Sequence, residues 1–125
     1  MASELRVNTL KDASGNNSVG MSYVANGSAK AWQSTDVTTL NDSNNVSSVT
    51  DTATGKLTVN YTANMANNDY AVTMSCAIGS QVPICSPQDN TFITTSAHRC
   101  HTLISNGGAA SDAEYIGSTV QGDLA

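Results

Sequence analysis

The stretch GKLTVNYTA, residues 55–63, decides the fold. Leu57, Val59 and Tyr61 fall on one side of an extended chain and Lys56, Thr58, Asn60 and Thr62 on the other. That is the period-two alternation of a strand with one face in water. Upstream, NNVSSVTD (44–51) reads as its hairpin partner, because DTATG (51–55) supplies turn residues and a glycine able to adopt positive φ. Downstream, NDYAVTMSCAIG (68–79) sets Tyr70, Val72, Met74, Cys76 and Ile78 on one face and small residues on the other, which predicts a long core strand.

The rest of the chain is read from this centre. SQVPICSPQDN (80–90) holds both prolines and no alternation, so a surface loop is expected there rather than a ladder strand. TFITTSAHRCHTLIS (91–105) is long enough for two short strands or one bent strand. NGGAASDA (106–113) reads as a loop, and EYIGSTVQGDLA (114–125) as a final strand. Short strands with turn signals at this spacing predict an all-β chain, an antiparallel, jelly-roll-like β-sandwich over residues 30–125.

Composition agrees with a folded, β-rich domain. The 125 residues fit one domain with a modest core. Only 12% are charged, and the polarity comes from Ser, Thr, Asn and Gly. A net charge of −5 without any basic cluster argues against nucleic acid as a partner. No apolar run approaches the roughly 20 residues that span a bilayer. Residues 1–20 lack the basic start and apolar middle of a signal peptide, so synthesis in a cytoplasm without membrane insertion is expected. Cys76, Cys85 and Cys100 cannot all pair within one chain, which argues against a secreted disulfide framework. Buried thiols are expected, and a bridge between Cys76 and Cys85 is left open.

Catalytic and metal chemistry find little support. In HRCH, His98 and Cys100 share a strand face while His101 points the other way, and a structural zinc site needs four ligands. Solvated or core-edge histidines are expected, with no metal and no cofactor. No Gly-x-Ser-x-Gly elbow is present, and the ten acids are scattered through loops and termini, so an enzyme is not expected. Trp32 and the tyrosines suggest a sugar-stacking platform, but Tyr61 and Tyr70 fall on core faces, while Tyr23 and Trp32 are left either packed between subunits or exposed.

Residues 1–29 read differently, as an extended arm. LRVNTL (5–10) and GMSYVA (20–25) look like short strands separated by KDASGNNS, neither with a hairpin partner inside the arm. Leu5, Val7 and Thr9 share one face, Leu10 lies on the other, and Met21 and Tyr23 belong to the second segment. Isolated strands are marginal in water, so the arm is expected to lie on something else.

The opening SELRVNTLKDASGNNS, the connector NGSAKAW (26–32), the hairpin at 44–72 and the ending AEYIGSTVQGDLA resemble tail fibre and related virion proteins of tailed bacteriophages, notably of aquatic and cyanobacterial hosts. The matching positions include Val46 to Val49, Gly55, Leu57 to Tyr61, Met65 and Tyr70 to Val72, whereas residues 79–112 match no motif of these proteins. The resemblance implies a non-enzymatic virion protein, a homotrimeric fibre or spike component whose arm meets other copies or an adapter, baseplate or capsid protein. The alternative is a capsid decoration protein, a cement or head fibre. Because loops on rigid β scaffolds carry recognition, contact with a host-surface glycan is expected from the loops at 79–90 and 106–113, with Gln81, Gln88, Asp89, Asn90, Asn106 and Asp112 as candidate residues.

Overall fold

A computed structural model describes residues 3–36 and 38–125. The sandwich begins with β3 (Ala29–Asp36) and β4 (Thr39–Asn44), continues with the hairpin of β5 (Val46–Ala53) and β6 (Lys56–Tyr61), and crosses to β7 (Ala71–Ala77). It is completed by β8 (Pro83–Pro87), β9 (Ala97–Ile104) and β10 (Tyr115–Gln121). The strands form two antiparallel four-stranded sheets, β4-β3-β10-β7 and β5-β6-β9-β8. The in-sheet hairpins β3–β4, β5–β6 and β8–β9 are joined by crossings between the sheets, β7 being both entered and left by one, and the fold is an antiparallel β-sandwich.

Alternation places the core as the sequence predicts. Leu57, Val59 and Tyr61 are buried, and they meet Ile78, Cys100, Ile116, Val120 and Met65 between the sheets. The strand at 71–77 turns Val72, Met74 and Cys76 inward and leaves its small residues outside. Polar residues also enter the interior: Gln33 donates from Nε2 to Ser118 Oγ at 3.3 Å, and Thr35 donates its hydroxyl to Gln33 Oε1. These bonds satisfy groups whose burial would otherwise cost about 1–3 kcal/mol each.

The crossing from β4 to β5 is a one-residue corner. Asn45 stands there at φ 56°, a left-handed conformation that asparagine tolerates better than most residues. Its side chain accepts from Ala63 N at 2.7 Å and donates to Ala63 O at 3.0 Å, pinning the corner to the segment after β6.

Four expectations are corrected. The prolines at 83 and 87 do not exclude a ladder strand, because they sit in β8, which pairs with β9 only on one side. An edge strand tolerates missing donors, so proline fits there. The stretch 91–105 gives a 3₁₀ turn at Asn90–Phe92 and then a single strand, β9. In the arm, β1 (Thr9–Lys11) and β2 (Ser18–Gly20) pair with each other, so the arm does contain its own hairpin. Asp12 closes that hairpin: its carboxylate accepts from Ser14 Oγ at 2.9 Å, Asn16 N at 3.1 Å and Asn17 Nδ2 at 2.7 Å. These partners hold its carboxyl below the ordinary range, the Ser14 hydroxyl contributing most. GMSYVA is then not a strand. From Met21 the chain turns into α1 (Met21–Gly27), because with no third strand beside β2 its backbone groups find partners within a helix.

Candidate functional site

No described residue from 3 to 30 is buried. Leu5 is 80% exposed and Tyr23 77%, and Leu10, Val19 and Val24 are exposed with them. Leu10 and Val19 are register partners, so they stand side by side on one hairpin face, and together with Lys11, Asp12, Asn17 and Ser18 they line a shallow groove. Thr9 pairs with Gly20, and Val7 and Met21 are half-buried. Asn8 O accepts from Met21 N at 3.0 Å, joining the strand to the helix. The arm is tethered to the sandwich by Gln121 Nε2, which donates to Gly27 O at 3.1 Å, and by Lys30 Nζ, which donates to Ala25 O. With two strands, each pairing on one side, the hairpin presents two open edges.

The candidate loop residues separate into three places. Pairing of Pro83 with Ile104 brings Gln81 and Asn106 to one end of the sandwich, where they line a common groove with Val82, Ile104 and Ser105. Ser105 N donates to Val82 O at 3.0 Å and ties its two sides. Val82 is 69% exposed there, an apolar tip that the sequence signals only by its place beside a proline. Gln88, Asp89 and Asn90 lie at the opposite end of β8. Gln88 N donates to Arg99 O at 2.8 Å, and the Asp89 carboxylate accepts from Thr91 N at 2.9 Å to cap the 3₁₀ turn. Asp112 belongs to neither group: it accepts from Gly55 N at 2.6 Å and holds the β5–β6 turn against the β9–β10 connection.

Within HRCH the outcome divides: His98 and Cys100 are interior, whereas Arg99 and His101 lie on the other face of β9 and are only half-buried. His98 is fully buried, which corrects the expected core-edge placement, and its Nδ1 lies 2.8 Å from the Tyr61 hydroxyl. The reason is register: His98 sits opposite Val59, at the centre of the buried face of β6. Burial lowers its pKa to about 4, while Nε2 has no hydrogen-bond partner. Burial also raises the phenols of Tyr61 and Tyr70 above their ordinary value. The three cysteines are free thiols. Cys76 faces Cys85 across the seam between β7 and β8, and burial, then the neighbouring thiol, pushes it up to about 12. Cys100 is pushed up to about 12 by burial first and by the other two thiols second. At neutral pH the Cys76 and Cys100 thiols are therefore protonated and the His98 imidazole is neutral. Among the described residues no group of three His, Cys, Asp or Glu side chains is placed to hold a metal ion, and no helix is long and apolar enough to cross a membrane.

No family model matches the chain, and no curated protein or solved structure is found to be similar to it.

Proposed function

We propose that the chain is a non-enzymatic structural component of a tailed-phage virion, a fibre or spike subunit that assembles through its arm into a homotrimer or onto a neighbouring virion protein. One observation carries this reading: the arm holds five large exposed apolar side chains and two open strand edges, and none of its described residues is buried. Such a segment exposes apolar area and backbone donors at a cost that a partner would remove. Strand addition from another chain would satisfy both. The resemblance of the two ends and the middle of the sequence to tail fibre proteins supports the same reading, and three-fold closure follows from that resemblance. In this scheme the groove around Gln81, Val82 and Asn106 is the free end that meets the host surface.

Mass spectrometry of purified particles of the encoding phage tests the proposal. The chain should be present in mature virions, and its absence would end the reading. Particle reconstruction then separates a fibre, with tens of copies or fewer, from a capsid decoration protein, whose copies would be spread over the whole head lattice.

A further inference from the structure

The outward face of the β4-β3-β10-β7 sheet carries a groove of about 340 Å³, within the roughly 300–1,000 Å³ range of small-ligand sites. Register builds it. Trp32, Thr119 and Thr73 form one cross-strand row, and Ser34, Gly117 and Ser75 form the next. Tyr115 follows in the register and its phenol reaches back over Gly117, so two aromatic rings and the hydroxyls of both rows line the groove. Gly117 makes room for the Tyr115 ring, which folds back over the second row: a Cβ there would come within 2.6 Å of the Tyr115 hydroxyl and 3.0 Å of Ser75 Oγ. The inward residues Gln33, Thr35 and Ser118 of the same strands bond to one another, whereas the outward hydroxyls are left to solvent.

We propose that this groove binds a neutral carbohydrate. A pyranose has an apolar face of C–H groups and a rim of hydroxyls. The half-exposed rings of Trp32 and Tyr115 match the first, and Ser34, Thr73, Ser75 and Thr119 match the second. No charged side chain lines the groove, so nothing there recognises phosphate or a polyanion. A protein partner would want a more continuous apolar centre than two rings set among hydroxyls. The residues stand on paired strands, which fix their spacing better than loops do. The inference does not rest on a place in the virion, and it puts the sugar on a sheet face rather than on the loops at the sandwich ends.

Trp32 is the only tryptophan, so its emission reports on the groove directly. The full chain is screened on a mixed glycan array and titrated with maltotriose, mannotriose and triacetylchitotriose up to about 10 mM. A saturable emission change with a neutral glycan is expected, weakened about tenfold or more in Tyr115→Ala. Tyr115→Phe keeps the ring and should fall between, and circular dichroism should be unchanged in both. The idea fails if no neutral glycan binds by either method, if only a sulfated heparin fragment binds, or if Tyr115→Ala binds as well as the native chain. A Trp32 emission that moves with protein concentration alone, together with self-association in sedimentation, would assign the face to a second copy and overturn the proposal.

Discussion

The Tyr61 hydroxyl lies 2.8 Å from His98 Nδ1 in the middle of the sandwich, and the other ring nitrogen of His98 has no partner among the described residues. One hydrogen bond across the β6–β9 pair therefore fixes the orientation of an imidazole that burial keeps neutral, and protonating it would place an unbalanced charge between the sheets.

Stability should accordingly fall in mild acid. Folding depresses the His98 pKa from 6.5 to about 4, so in this range the unfolded chain binds the proton more readily. The stabilisation is complete above pH 6.5 and is lost as the pH falls toward 4, a span worth about 3 kcal/mol for a shift of this size. Urea unfolding from pH 8 to pH 4 measures it. His98→Gln should flatten the curve between those limits, and an equal slope in both proteins would remove His98 as the cause.

The thiols should resist alkylation. With Cys76 and Cys100 at about 12, their thiolate fractions at pH 8 are small. Iodoacetamide should modify them on the order of a thousandfold more slowly than in urea. Peptide mass spectrometry over time gives the rates, and fast native labelling of Cys100 would contradict its buried position.

Asn45 should be hard to replace. Asn45→Ala removes both bonds to Ala63 and puts a Cβ without polar reach in a left-handed turn. A loss of about 2–3 kcal/mol is expected. Asn45→Gly keeps the turn and should lose less, and chemical denaturation of the two variants orders them.

Removal of residues 1–28 should leave the sandwich folded, since β3 begins at Ala29 and no described residue before Ala31 is buried. Sedimentation should find the full chain associated at micromolar concentration and the truncated chain monomeric. A monomeric full chain would rule out self-assembly through the arm and leave only docking of the arm onto a different protein, as the proposed function allows.

At the sandwich end, exchanging residues 80–82 together with 105–109 should alter adsorption to host cells without changing the melting temperature. These segments meet in the groove of Gln81, Val82 and Asn106 and bury little. Unchanged adsorption would place host contact elsewhere.

Much of the sandwich is legible in the sequence, because the alternation at 56–61 and 70–78 reports burial one residue at a time. What is not legible depends on pairing. Pro83 and Pro87 read as breakers, and only the position of β8 at a sheet edge makes them compatible with a strand. With 80–90 read as a loop, the meeting of Gln81 and Asn106 is hidden too. His98 looks peripheral until β9 is set beside β6, and Trp32 and Tyr115 share a groove only once β3 lies against β10. The strand reading of GMSYVA fails for a local reason, since a strand there has no neighbour to bond, whereas the short helix α1 supplies partners within itself.

The neighbouring positions of β3 and β10 have a mechanical consequence. Ala29, where the chain comes into the sandwich, is paired with Gln121, near where it leaves. Tension applied across these two points pulls perpendicular to the strands, so their hydrogen bonds would break one after another from that end instead of shearing together. A pull along the chain would therefore unzip the sandwich at low force. Built this way, the domain is suited to hang beside a line of stress as a pendant rather than to lie within it.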